Sequence, residues 1–318
     1  MAFAAATIAF AGMTAQAAPD EPTPQQMVDA LHTTFGTHHA RAVHAKGIIV
    51  EGSFTPALGA RAITRAKLFS AASVRVIVRF SDFTGIPDIP DNVGDANPRG
   101  FAVKFKMPDG DGLDVVAHSF NGFPTRTSAE FRELLLAIAA SGPAAPKPTP
   151  LDAFLSTHPH AKTFLTTQKS PESYATTPYF GVNAFKFTAA SGKSVYGRYR
   201  FAPAAGEHYL APAEMKARPA DFLQSDIRER LAKGPVAFDW FAQIAEKDDA
   251  IDDPSVAWPA KRRLVKLGTI TLNTVADQDA EDRKLLFLPA TLPSGIEAAD
   301  PMLTVRNSAY PISFAGRQ

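Results

Sequence analysis

Phe180-Gly-Val-Asn-Ala-Phe-Lys-Phe187 and Ser194-Val-Tyr-Gly-Arg-Tyr-Arg-Phe201 flank the short segment Ala190-Ser-Gly-Lys193, and this stretch decides the fold class. Both runs place bulky apolar residues at alternate positions, as β-strands with one buried face do. A short connection that contains glycine predicts that the two runs pair as a hairpin. We expect the inner face of this hairpin to carry Phe185, Phe187, Val195, Tyr199 and Phe201.

Strand patterns continue on both sides of the hairpin. Apolar or alternating runs of this kind occupy residues 48–50, 75–80, 99–105, 113–116, 236–244 and 267–273. Hairpin-like strands in succession, with few helices between them, indicate an antiparallel sheet that is closed or strongly curled. The predicted fold is α+β, an antiparallel β-barrel with added helices.

Two capping sequences mark the starts of helices. Thr23-Pro-Gln-Gln26 combines an N-cap, a proline at the first helical position and a glutamine that closes the box, and Gly36 ends this helix. Thr127-Ser-Ala-Glu130 forms a second capping box. A further helix is predicted within 213–234, and the proline-rich segment 142–150 is predicted to be a stiff linker.

Composition excludes several classes of function. The chain has 318 residues, no cysteine and a net charge of +1, with basic residues dispersed along it. Disulfides, thiolate nucleophiles and Cys-ligated metal sites are therefore excluded, and nothing in the charge pattern indicates a nucleic-acid partner. The 23 phenylalanines, against two tryptophans and six tyrosines, are compatible with a large flat apolar ligand and equally with an ordinary aromatic core.

Residues 1–18 are apolar and contain Ala15-Gln-Ala17, which fits the small-x-small cleavage pattern of a secretory signal. No Lys or Arg precedes the apolar part, which is too short to span a bilayer as a stable helix. We expect residues 1–18 to be a signal peptide that is removed on export to a bacterial periplasm. Residues 19–318 would then form a single domain without a membrane span.

Arg306 and Tyr310 are four residues apart near the end of the chain. On a helix they lie on one face, one turn from each other. A neighbouring guanidinium favours the ionised form of a phenol, and a phenolate is a suitable ligand for ferric iron. Pro311 is expected to limit how far this helix continues. Taken alone, the spacing fits an ordinary pair on the surface of a helix equally well.

In combination, the motifs resemble the haem catalases, and more closely the small branch of that family, the catalase-related peroxidases. Arg41-Ala-Val-His44-Ala-Lys-Gly47 is similar to the distal-histidine motif, and Asn97-Pro-Arg-Gly-Phe-Ala-Val-Lys-Phe105 is similar to a strand of the family barrel. Arg306-x-x-x-Tyr310 resembles the haem-ligand helix. The likeness runs in order from about residue 22 to the end. It implies the catalase-like barrel, without the C-terminal helical domain of full catalases.

The resemblance also implies the roles of individual residues. His44 would be the acid/base on the distal side of haem b, Tyr310 the iron ligand, and Arg306 the group that keeps Tyr310 ionised. Asp300 matches an acidic residue near Arg306. Contacts to the haem are implied for Arg41, Val43, Arg79, Phe123, Phe131 and Arg317, of which the three arginines would bind the propionates.

Two positions depart from the family pattern. A second donor to the peroxide is implied near the end of the strand at 113–116, where alignment allows either Asn121, which we take as the catalytic residue, or Ser119. Asn183 stands where larger catalases have a histidine linked to the proximal arginine, so we expect that link to be weakened.

The implied function is a haem peroxidase that reduces hydrogen peroxide or organic hydroperoxides with a small organic electron donor, and that has weak catalase activity. Three alternatives stay open: efficient disproportionation of peroxide, a haem isomerase of fatty-acid hydroperoxides on the same fold, and a barrel that binds haem or an apolar ligand without turnover. The sequence does not give the donor, the preferred peroxide or the oligomeric state.

Overall fold

The computed structural model describes residues 21–108, 111–278 and 282–317, so the signal peptide expected at 1–18 lies outside the described residues. The strands are β1 Gly47–Pro56, β2 Val74–Ser81, β3 Gly100–Lys106, β4 Leu113–His118, β5 Tyr179–Thr188, β6 Ser194–Pro203, β7 Val236–Ile244, β8 Leu264–Val275 and β9 Ile296–Ala298. The helices are α1 Pro24–Phe35, α2 Ser128–Ala139, α3 Pro150–Thr157, α4 Pro159–Thr166, α5 Pro212–Ala217, α6 Phe222–Lys233 and α7 Met302–Ala315.

Strands β1 to β8 close into an antiparallel barrel in the order β4-β3-β2-β1-β8-β7-β6-β5. The barrel closes where His118 of β4 pairs with Phe180 of β5, and β9 extends the sheet from the second half of β5. The predicted hairpin is β5 and β6, with Phe187 opposite Val195. The α+β barrel expected from the sequence is therefore confirmed.

Aromatic side chains fill the inside of the barrel. The Trp240 ring lies 5.0 Å from that of Phe105 and 5.7 Å from that of Phe201, stacked on both. Phe101 and Tyr179 are stacked at 4.7 Å between ring centres. Such pairs contribute beyond the area that they bury. Because the interior is occupied by packed rings, the barrel is a solid support, and a ligand must bind on its outside.

Local sequence explains where the helices begin and end. Thr23 and Thr127 close both predicted capping boxes, and Gly36 ends α1 as expected. The helix predicted within 213–234 is confirmed as α6, and the short helix α5 precedes it. Pro219 lies between the two and disfavours helix at the residue before it. The segment 142–150 leads directly into α3 and α4, which the sequence analysis did not predict.

Helix α7 continues through Pro311 and ends at Ala315, about one turn beyond the proline. Proline removes one helical hydrogen bond and favours a kink, but packing offsets this loss. Val305, Ala309 and Ile312 of this helix contact the apolar cluster that α1 and α2 bury together. None of the described helices is both long enough and apolar enough to cross a membrane.

Candidate active site

A cavity lies between the outer face of strands β2 to β4 and the helices α1, α2 and α7. Its walls are mainly apolar, and they include Met27, Leu31, Phe131 and Val305. Polar groups occur at only a few points of this surface. An apolar pocket with a few convergent polar groups is the usual form of a small-molecule or cofactor site.

Nine of the ten site residues expected from the sequence border this one cavity. They are Arg41, Val43, His44, Arg79, Phe123, Phe131, Arg306, Tyr310 and Arg317. Asn121 is not among the lining residues of the described chain, and its role stays a prediction. The fold therefore brings together residues that are as much as 276 positions apart in the sequence.

His44 is held in an unusual backbone conformation. Its φ angle is 58°, in the left-handed region that side chains other than glycine rarely adopt and that clusters at functional sites. The backbone N–H of His44 donates to the carbonyl of Phe83 at 3.0 Å. A hydrogen bond of 3.1 Å joins its Nδ1 to Ser81 Oγ. These contacts fix the direction of the ring, which remains in contact with the cavity.

His44 is a neutral base at physiological pH. Burial, assisted by the positive charge of Arg79, lowers the pKa of its imidazole from 6.5 to about 3. Both effects disfavour the charged form. A neutral imidazole has one nitrogen lone pair free to accept a proton, so His44 can take a proton from a substrate and return it.

The space for the His44 ring depends on Gly100, the residue that pairs with Ser81 across β2 and β3. A Cβ at this position would lie 2.7 Å from His44 Nδ1 and 2.3 Å from Ser81 Oγ. Both distances are shorter than real contacts, so any side chain here must displace the imidazole or its serine partner.

Gly100→Ala is therefore expected to lower peroxide turnover about 100-fold, since a catalytic group misplaced by about 1 Å can cost this much. Turnover per bound haem should be measured beside that of Gly94→Ala, because a Cβ at Gly94 meets nothing within 4 Å. Equal activity of the two variants would show that the His44 position does not depend on this close packing.

Tyr310 lies at one end of a chain of hydrogen bonds. Arg306 Nη2 donates to Tyr310 Oη at 2.8 Å, and Arg306 Nη1 donates to the side-chain carbonyl of Asn183 at 2.5 Å. Asn183 Nδ2 then donates to Asp300 Oδ2 at 2.8 Å. A donor with a positive charge stabilises negative charge on the phenol oxygen.

Asn183 thus joins Arg306 to Asp300 through two hydrogen bonds. Unlike an imidazole, its amide cannot ionise, so it orients Arg306 but transfers no proton, and the expected weakening relative to a histidine stays a prediction. Burial raises the pKa of Asp300, against the opposing hydrogen bond from Asn183.

Two guanidinium groups pair with one carboxylate at another part of the cavity, and a third guanidinium lines the same cavity. Arg41 Nη1 lies 2.5 Å and Arg79 Nε 2.8 Å from the two oxygens of Asp282, while Arg317 Nη2 donates to the carbonyl of Leu285 at 2.5 Å. Burial and the neighbouring Arg79 hold the pKa of Arg41 well below its usual value. Although burial opposes it, the attraction of Arg79 and Arg41 lowers the pKa of Asp282.

The excess of arginine over carboxylate shows that this part of the cavity can accept further acidic groups. Guanidinium pairs bind planar carboxylates in a two-point geometry. Apolar walls, an arginine-paired phenol and an anion-binding cluster together fit haem, whose flat macrocycle, iron and propionates need these three surroundings. Sequence reasoning missed Asp282, which no motif marks.

His118 is a second cavity residue that the sequence motifs did not mark, and it borders the cavity together with His44. Ser119, one of the two candidates for the second donor, instead accepts a hydrogen bond from the backbone N–H of Arg99 at 2.8 Å. The alternation of β4 was the available signal, because Val116 and His118 share the face that contacts the cavity.

Comparison with known proteins agrees with this geometry. The family model described as Catalase matches residues 32–317. A catalase-related peroxidase of Synechococcus elongatus is 36% identical, with 93% of this chain and 88% of the relative covered. One of Mycolicibacterium paratuberculosis is also 36% identical, with 92% and 93% covered.

Solved structures share the fold at lower identity. Catalase A from Saccharomyces cerevisiae is 22% identical with a TM-score of 0.77, and the match covers 87% of this chain and 61% of that one. A fungal catalase gives the same identity and TM-score and is covered to 59%. The chain thus spans about three-fifths of these larger proteins. By sequence, fold and cavity, the chain belongs to the catalase family.

Proposed function

We propose that this protein reduces hydrogen peroxide or organic hydroperoxides with a small organic electron donor, using haem b held in the cavity. The observation that carries the proposal is that a neutral buried histidine, His44, and an arginine-paired phenol, Tyr310, border the same cavity. The names of the relatives, catalase-related peroxidase, support the same chemistry.

The residues indicate how haem would be bound. Tyr310 would supply the oxygen ligand to iron, and Arg41, Arg79 and Arg317 would bind the propionates. Since the chain has no cysteine, thioether attachment of the c type is excluded, which favours non-covalent haem b. When bound, the haem would supply the redox chemistry, accepting electrons from the donor and delivering them to the peroxide.

His44 would move the proton that peroxide cleavage requires. Reduction of a peroxide to water, or to an alcohol and water, consumes two electrons and two protons. The neutral imidazole can accept the proton of one peroxide oxygen and donate it to the departing oxygen, which then leaves as neutral water or alcohol. Positioned acid–base catalysis of this kind typically contributes about 10²–10⁴-fold.

The arginines that would bind the propionates already bind a carboxylate of this chain, that of Asp282. Asp282 neutralises part of the Arg41 and Arg79 charge in the structure, so the guanidiniums keep their orientation without an external partner. Propionates would draw hydrogen bonds from the same groups, and Arg79 also donates to the carbonyls of His44 and Ala45. Haem binding and the position of His44 are therefore linked through Arg79.

Parallel assays distinguish peroxidation from disproportionation. We expect the protein reconstituted with hemin to oxidise a small phenol such as guaiacol with hydrogen peroxide, and to release oxygen only slowly without the donor. Fast oxygen release with no donor oxidation would instead support the efficient catalase. A protein that stays colourless with hemin would overturn the haem assignment altogether.

Export to the periplasm remains part of the proposal. It rests on the apolar segment 1–18 and Ala15-Gln-Ala17 alone. N-terminal sequencing of protein recovered from the periplasmic fraction of a bacterial host checks it, with cleavage expected after Ala17 or Ala18. Recovery only in the cytoplasmic fraction, with residues 1–18 retained, would overturn it.

A further inference from the structure

We propose that His118 is the second hydrogen-bond donor to the peroxide in this cavity, acting beside His44. The inference rests on the proposed function. It assigns to an imidazole the contact that the sequence analysis sought at Asn121 or Ser119.

The barrel register places His118 next to the residues that hold His44. Ser81 of β2 pairs with Gly100 of β3, and Gly100 pairs with His118 of β4. Directly paired residues project from the same face of a sheet, and adjacent strands are about 4.8 Å apart. Ser81 and His118 therefore stand on the same face about 10 Å apart, with only the hydrogen of Gly100 between them.

The His44 ring occupies the space above Gly100, beside Ser81. Its Nδ1 is bonded to Ser81 Oγ, and its ring is the group that a Cβ on Gly100 would strike. The two imidazoles therefore lie on the same face of the sheet as Gly100, and both border the cavity. A substrate that contacts His44 above Gly100 lies on the side of the sheet from which His118 also projects.

The tautomer of His118 is set by the backbone. The N–H of Phe120 donates to His118 Nδ1 at 3.3 Å, so Nδ1 is the acceptor and, in the neutral ring, the proton is carried by Nε2. Nε2 is shielded from solvent and has no hydrogen-bond partner among the described residues. Buried donors are nearly always satisfied, and an exception at a cavity calls for a ligand or water.

The surroundings of His118 keep it neutral and in place. Phe123 and Phe164 pack around the ring, with centroids 6.4 and 6.0 Å away. Burial, with smaller contributions from His44 and Arg306, lowers the pKa of His118 to about 3. The ring is therefore a neutral N–H donor, and its other nitrogen, Nδ1, already accepts the Phe120 N–H.

The test compares His118→Phe, which preserves ring packing but removes the donor, with His118→Asn, which restores a shorter N–H donor. His158→Phe is the control, since that ring stacks on Phe154 at 3.8 Å, at the junction of α3 and α4. The probe is azide, a small anion that accepts hydrogen bonds, titrated by absorption into each haem-loaded protein. We expect His118→Phe to bind azide about 10- to 100-fold more weakly, His118→Asn to recover part of the loss, and the control to match the unaltered protein.

A second measurement needs no haem. Nitrogen-15 NMR of the histidines in the protein as purified should show the His118 proton on Nε2. A proton on Nδ1, or azide affinity unchanged in His118→Phe, would overturn the inference. If the phenylalanine variant does not fold, His118→Asn and the NMR result decide. Failure of the unaltered protein to take up haem would overturn the proposed function instead, and leaves the NMR test of His118 standing.

Discussion

Tyr310→Phe is expected to lose most of its haem. The substitution removes only the phenol oxygen, so the packing of α7 against the α1–α2 cluster is preserved while the oxygen ligand for iron is removed. Arg306 would keep its bond to Asn183 but would have no phenol to stabilise. The haem-to-protein ratio after gel filtration, read from the absorption spectrum, measures the effect.

Two further variants make this result specific. Tyr196→Phe serves as the control, because this tyrosine is 39% exposed and is not among the residues that line the cavity. Arg306→Ala leaves the phenol but removes its hydrogen-bond partner. Groups that orient a metal ligand typically contribute about 10–100-fold in affinity, so we expect the haem affinity of this variant to fall by that factor. Full haem retention with an unchanged ferric spectrum in Tyr310→Phe would mean that another residue ligates iron.

His44→Ala is expected to keep its haem and to lose peroxide turnover by about 10²–10⁴-fold. The expected iron ligand, Tyr310, is unchanged in this variant, and the substitution removes the base that accepts the peroxide proton. Turnover per bound haem should be compared with that of His160→Ala, an exposed histidine on α4. An unchanged rate in His44→Ala would exclude it as the proton carrier.

The pH profile of the unaltered protein tests the same role. Because the pKa of His44 is lowered to about 3, the neutral base stays fully populated as the pH falls from 7 towards 4. Activity should therefore lack an inflection near 6.5, the usual histidine value, and should fall only as the pH approaches 3. A transition at 6.5 that disappears in His44→Ala would show that the ring is not desolvated in solution.

The barrel could be predicted from the sequence because the patterns that indicate its strands and helix starts lie within short segments. Alternation in the β5–β6 hairpin specified which side chains point inward, and Phe185, Phe187, Tyr199 and Phe201 are all buried there. Thr23 and Thr127 specified helix starts through hydrogen bonds to residues three positions away. Such patterns need no knowledge of distant parts of the chain.

The remaining features depend on contacts between distant segments. The alternation of β4 marks the face on which His118 lies, but its position beside Gly100 and Ser81 follows from the pairing of β2, β3 and β4. Asp282 meets Arg41 across 241 positions, and no motif surrounds it. The turn of α7 beyond Pro311 likewise depends on apolar contacts with α1 and α2, which its own sequence does not show.

The row that joins Ser81, Gly100 and His118 limits how relatives of this chain can vary in length. A strand has a period of two residues, so an insertion or deletion of one residue inside β2, β3 or β4 would shift the pairing and turn the side chains of that strand to the opposite face of the sheet. The serine or histidine would then point into the aromatic interior, and a phenylalanine would enter the cavity. One such change would disturb both the packing of the barrel interior and the residues of the active site. Changes in length should consequently accumulate in the connections between strands, while the strands themselves change only by substitution.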